Sequence, residues 1–143
     1  TGCRLFLHTN QSGVGRGYFT LEQAQACNAR MIELLDLGDG IFEDICIAVE
    51  KPDEEPVYRK PEPRFAREVL DRAKGSPEHL YYVGDNPTDL LTAINAGGTG
   101  IGVQTGEFEL RYLFARTPPP GRVLVFDTFG EAADQILLEG AYA

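Results

Sequence analysis

Leu80-Tyr81-Tyr82-Val83-Gly84-Asp85-Asn86-Pro87-Thr88-Asp89-Leu90-Leu91 passes from one kind of local structure to another without a linker. Leu80–Val83 is aromatic and apolar throughout, the pattern of a strand buried on both faces. Gly84 and Asp85 end it. Pro87 suits the first turn of a helix, where its missing N–H has no partner to lose. Leu90, Leu91, Ala93 and Ile94 supply that helix's apolar residues, and Gly97-Gly98 stops it. A buried strand feeding directly into a helix is half of a βαβ unit, and it predicts a parallel sheet.

The same alternation runs outward in both directions. Upstream, Arg4–His8 reads as a strand that ends in the polar stretch Thr9–Gly13. Thr20-Leu21-Glu22-Gln23 fits a capping box, and Ala24, Cys27, Met31, Leu34 and Leu35 recur at helical spacing, with Gly38 and Gly40 as the stop. Ile41–Val49 reads as a strand, 51–63 as a loop rich in proline and charge, and Arg64–Lys74 as an amphipathic helix with Phe65, Val69 and Leu70 inward, closed by Gly75. Downstream, Ile101–Val103 and Arg122–Phe126 read as strands, and 107–116 and 130–138 as helices. The fold class is therefore α/β: a doubly wound, mostly parallel sheet flanked by helices. The 143 residues form a single domain on this reading. In such sheets ligands lie beyond the carboxyl ends of the strands, and each polar cluster of the chain falls just after a strand.

Composition narrows the function. Thirteen Lys and Arg against 22 Asp and Glu give a formal charge of −9, which argues against nucleic acid or an anionic membrane as partner. No apolar run approaches the roughly 20 residues that span a bilayer. Cys3, Cys27 and Cys46 are scattered without a Cys-x-x-Cys spacing, as reduced thiols of a cytoplasmic protein are.

Three loops carry groups suited to phosphate chemistry. Thr9, Asn10, Gln11 and Ser12 bring hydroxyls and amides together. Gly13, Gly15 and Gly17 allow close backbone approach, and Arg16 offers a charged donor; a polar turn capping the next helix is the plainer reading. Arg59-Lys60-Pro61 places adjacent cations beside a proline, suited to charge developing on phosphate or to a solvated loop. Asp85 and Asp89 offer the oxygen ligands that magnesium takes. Asp85 or Asn86 serves equally as a helix cap, and Asp89 has three open roles: direct ligand, ligand through water, or the group that fixes a neighbour.

Together Thr9–Gly13, Arg16-Gly17, Arg59–Pro61 and Val83–Asp85 resemble, in order and spacing, the haloacid-dehalogenase (HAD) superfamily. The likeness is greatest to its compact branch of heptose-bisphosphate and histidinol-phosphate phosphatases. The resemblance implies magnesium-dependent hydrolysis of a small phosphorylated metabolite through an aspartyl-phosphate intermediate. It implies that Thr9 and Asn10 hold phosphate oxygens, that Lys60 bridges phosphate and nucleophile, and that Arg16 and Arg59 meet phosphate or the substrate's remote end. Gln11 and Ser12 join the phosphate site, and Asp85, with Asp89, joins the magnesium site.

Two features depart from that pattern. Members of this branch often carry a Cys/His zinc loop before Arg-Lys-Pro, whereas Cys46–Tyr58 holds one cysteine and no histidine. No Asp-x-Asp occurs anywhere in the chain. The family's Asp-x-Asp-Gly-Thr would lie upstream of Leu5, on a central strand between the strands ending at Asn10 and Asp85, so the resemblance implies that residues 1–143 are N-terminally incomplete and inactive by themselves. A non-catalytic phosphate-binding domain is the alternative. Val123–Gly130 imitates the missing motif, with Asp127 as nucleophile of a permuted chain. Phe129 stands where the acid/base aspartate belongs, however, and a terminal edge strand is the favoured reading.

Overall fold

The computed structural model describes residues 2–141. Its elements are β1 (Phe6–Asn10), α1 (Ser12–Gly15), α2 (Leu21–Leu34), β2 (Asp44–Ala48), α3 (Arg64–Ala73), β3 (Tyr81–Gly84), α4 (Pro87–Asn95), β4 (Thr99–Val103), α5 (Leu110–Arg116), β5 (Val123–Phe126) and α6 (Phe129–Ala141). Every strand pairing among the described residues is parallel, as the βα alternation predicts. The chain divides into two compact units, one ending at Arg59 and one beginning at Lys60.

The first unit holds β1 and β2, in register from Phe6 opposite Asp44 to Asn10 opposite Ala48. Helix α2 starts where the sequence places it: Thr20 Oγ1 accepts from Gln23 N at 3.2 Å, and Gln23 Oε1 accepts from Thr20 N at 2.8 Å. Its apolar stripe is largely exposed. Ala24 is buried, but Cys27 is exposed and Leu34 and Leu35 are 67% and 59% exposed. A two-stranded sheet, with strands about 4.8 Å apart, offers too narrow a face to cover a helix of 14 residues. The helix also ends before the expected glycines, at a cap on Leu35 followed by Asp36 in the left-handed region (φ 51°).

The second unit carries the conventional core. Its sheet has the order β3-β4-β5, with β4 buried along its whole length between its neighbours. Ile101, Val103 and Ala132 are buried together, and Tyr81, Val83, Leu124, Phe126 and Ile136 pack against them. Leu90 and Ala93 of α4 are fully buried, while Phe65, Ala66 and Val69 form the inward face of α3. The left-handed residue closing α3 is Lys74 (φ 50°) rather than Gly75.

Strand β5 lies at the sheet edge, and the permuted reading of Val123–Gly130 finds a plainer explanation there. Thr128 Oγ1 accepts from Glu131 N at 3.2 Å, and the Glu131 carboxylate accepts from Asp127 N and Thr128 N at 3.0 and 3.2 Å. This is the reciprocal capping box of α6. It accounts for Glu at 131, where the motif would have threonine. Asp127 itself is exposed and paired with Arg111.

Glu139 ties the ends of this unit together. It accepts from Arg122 at 2.9 and 2.5 Å, from the Tyr81 hydroxyl at 2.8 Å and from Gln135 at 2.8 Å. Those donors, Arg122 first, lower its pKa to about 2. A carboxyl whose folded pKa lies below its unfolded value stabilises the fold above the unfolded pKa, near 4.5, and loses that contribution as pH falls toward about 2. Glu139→Gln is therefore expected to cost about 1 kcal/mol at pH 7. Urea midpoints of native and variant protein should converge as pH is lowered through that window.

Candidate functional site

In the first unit, Thr9 and Asn10 are the last residues of β1, and Gln11 and Ser12 lead at once into the helical turn α1. The expected Gly-rich loop is thus shorter and more ordered than the sequence suggests. Gln11 N donates to Ala48 O on the neighbouring strand at 2.7 Å, and the Gln11 side-chain amide donates to Thr9 Oγ1 at 3.1 Å. The turn closes with Val14 N to Gln11 O at 3.0 Å and Arg16 N to Ser12 O at 3.0 Å. Thr9 through Ser12 are half-buried, and Arg16 is exposed. A turn starting at Ser12 directs its leading N–H groups away from the helix, toward whatever lies beyond the strand end.

The glycines of this stretch have internal reasons. A Cβ on Gly13 would stand 2.3 Å from the Phe19 ring, and one on Gly15 would stand 2.4 Å from Val49 O. Their bareness lets the turn pack on its own unit. Beside the turn lies an open recess of about 540 Å³ lined by Gly15, Arg16, Tyr18, Lys51, Pro52 and Asp53.

In the second unit, Asp85 stands exposed beyond the carboxyl end of β3. Asn86, not Asp85, caps α4, its side chain accepting from Thr88 N at 3.0 Å. The capping alternative therefore leaves the Asp85 carboxylate open. Asp89 differs sharply from it, being 7% exposed with both oxygens engaged. Oδ2 accepts from Asn86 N at 3.2 Å, completing the capping box. Oδ1 accepts from Lys60 Nζ at 2.5 Å, with the two side chains 12% and 10% exposed. Gly84 leaves room for this pair, since a Cβ there would lie 2.1 Å from Asp89 Oδ2. The Lys60–Pro61 peptide is cis.

The structure thus groups Thr9, Asn10, Gln11, Ser12 and Arg16 in one unit, and Lys60, Asp85 and Asp89 in the other. Arg59 closes the first unit, its backbone N–H donating to Glu50 Oε1 at 3.1 Å. Glu50 was not singled out from sequence. A lone glutamate before a Pro-rich loop carries no signal until the loop is seen to fold back on it. Among the described residues no three His, Cys, Asp or Glu side chains gather as a ready-made metal cluster. Asp85 alone is a hard-oxygen donor left open at a strand end, which fits magnesium's habit of taking one or two carboxylates and completing its shell with water and phosphate.

A sequence model of the HAD-hydrolase-like family matches residues 57–132. The D-glycero-β-D-manno-heptose-1,7-bisphosphate 7-phosphatase of Pseudomonas putida is 32% identical over 136 residues, covering 95% of this chain and 76% of that protein. Its namesake from Neisseria meningitidis serogroup A is 28% identical over 98% of this chain and 75% of its own length. The crystal structure of D,D-heptose 1,7-bisphosphate phosphatase from B. bronchiseptica, complexed with magnesium and phosphate, superposes with a TM-score of 0.81. It is 31% identical over 95% of this chain and 75% of that one. The chain belongs to the HAD-hydrolase-like family, on its phosphoric monoester hydrolase side.

The Lys60–Asp89 pair supplies a direct test. Removing one partner of a buried pair strands the other charge, at a cost of about 3–5 kcal/mol. Lys60→Met should fall in that range by urea denaturation. Lys60→Met with Asp89→Leu should recover more than half of the loss, because no charge is then left buried.

Proposed function

We propose that the protein hydrolyses a small-molecule phosphomonoester with magnesium, through an aspartyl-phosphate intermediate, in the cytoplasm. The observation that carries this reading is the contrast in the second unit between a buried aspartate that anchors a lysine and an open aspartate one helical turn away. A cation held without being neutralised by solvent suits a phosphoryl group whose charge shifts during transfer. The relatives named above point to a phosphorylated sugar as the substrate class.

Each residue then has a task. Thr9 and Asn10 hold phosphate oxygens at the end of β1, supported by Gln11, whose amide orients the Thr9 hydroxyl. Ser12 and the leading N–H groups of α1 add neutral donors. Lys60 meets the charge shared between phosphate and nucleophile, and Asp89 keeps its ammonium in place. Asp85 holds magnesium, with Asp89 acting on the metal site through Lys60 and the α4 cap rather than as a second direct ligand. When bound, the ion supplies Lewis-acid stabilisation of the phosphoryl oxygens. Arg16 and Arg59 meet the remainder of the substrate. The attacking aspartate of this mechanism belongs to an Asp-x-Asp motif that residues 1–143 do not contain.

The protein in its full native reading frame should release phosphate from sugar phosphates with magnesium and lose the activity on chelation. Asp85→Ala should reduce kcat/KM on the order of 100-fold or more, the scale of several kcal/mol of lost metal stabilisation. Unchanged turnover in that variant would remove the metal assignment. A native reading frame that encodes no Asp-x-Asp, and shows phosphate binding without hydrolysis, would favour the non-catalytic domain instead.

A further inference from the structure

The stretch 46–58 lacks a cysteine and histidine set for zinc, yet it is closed by a different device. Glu50 Oε1 accepts from three successive backbone donors: Val57 N at 2.9 Å, Tyr58 N at 2.5 Å and Arg59 N at 3.1 Å. Consecutive N–H groups converging on one anion form a nest, here filled from within the chain. Inside the loop, Lys51 N donates to Glu54 Oε2 at 2.9 Å and Lys51 Nζ pairs with Glu54 at 3.1 Å. At its far end, His8 Nε2 of β1 lies 2.8 Å from Tyr58 O. One oxygen thus does for this loop what a metal ion does for a zinc loop: it draws distant residues to a single point.

We propose that Glu50 is a positioning residue for substrate binding, whose carboxylate closes the loop 50–59 without metal and so fixes Arg59 and the Lys51–Asp53 wall of the recess beside Arg16 and Tyr18. The proposal rests on the phosphatase reading above. Burial pushes the Glu50 carboxyl up, but the backbone donors outweigh it and hold its pKa below the ordinary glutamate value. The acceptor is therefore ionised at neutral pH, when charge-assisted bonds are strongest. Lys60 has its own anchor in Asp89. Losing the closure should therefore loosen Arg59 and the recess while leaving Lys60 in place, and this predicts an effect on KM rather than on kcat.

The test uses the full-length protein with magnesium, and p-nitrophenyl phosphate and fructose 1,6-bisphosphate as probes. Glu50→Ala should raise KM for the bisphosphate on the order of tenfold with kcat changed by less than about threefold. Glu50→Gln keeps an accepting oxygen and should restore most of the KM. Hydrogen exchange at the Val57, Tyr58 and Arg59 amides reads the closure independently of catalysis. Those amides should be protected in the native protein with a zinc chelator present, and exposed in Glu50→Ala. Equal protection in Glu50→Ala, or protection that a chelator abolishes, would overturn the closure. A loss of kcat matching or exceeding the rise in KM would overturn the positioning role. Failure of the native protein to hydrolyse any phosphoester would defeat the phosphatase reading and the positioning role with it, while the exchange data would still decide whether Glu50 closes the loop.

Discussion

Asp89 has two oxygens, and the second unit spends both on different structural problems. One accepts the Asn86 N–H and so fixes where α4 begins; the other holds Lys60 across 29 positions of sequence. Because the carboxylate is buried, neither contact can be exchanged for water at low cost. The start of α4, the turn carrying Asp85 and the lysine before Pro61 therefore share a single reference point. Gly84 is a consequence of that constraint, since any side chain at the end of β3 would stand where the carboxylate is. A lysine on a loop would otherwise sample many rotamers, and its long side chain loses up to about 2 kcal/mol of entropy when fixed. The ion pair places that cost in folding.

The same solution recurs wherever this chain must hold a turn. Glu50 gathers Val57, Tyr58 and Arg59; Glu131 caps α6; Glu139 joins β3, Arg122 and α6. Read as bulk composition, a charge of −9 speaks of solubility and of the partners it excludes. Read residue by residue, many of the acids are structural acceptors for backbone N–H groups and local cations. Their charge is compensated where it sits.

Legibility in the sequence followed the range of the interactions. The capping box at Thr20 and Gln23, the proline-led start of α4 and the alternation of strands and helices depend on neighbours within one turn, and they read correctly. The parallel sense of both sheets follows from the crossovers, and it was equally legible. What the sequence left open depends on partners far away in the chain. The α2 stripe of Cys27, Leu34 and Leu35 has helical spacing, yet these residues are exposed. The contacts of Gly13 with Phe19 and of Gly15 with Val49 O cannot be inferred from spacing. Asp89 illustrates the middle ground: its roles were left open, and its pairing with Lys60 is visible only in three dimensions.

That distinction bears on how the two acidic positions divide their work. If both Asp85 and Asp89 were open, they would repel each other and compete for one cation, and Lys60 would be free to pair with whichever carboxylate was nearer. Burying Asp89 against Lys60 removes both problems at once, because the pair is locally neutral and Asp85 is left as the exposed acid of the α4 turn. On the proposed reading a hard divalent ion would then meet one carboxylate with coordination positions to spare, the condition under which it could also accept substrate oxygens and water. One of the three donor protons of Lys60 is committed to Asp89. The spacing of the two aspartates by one helical turn is thus the sequence feature that separates an exposed carboxylate from one committed to Lys60.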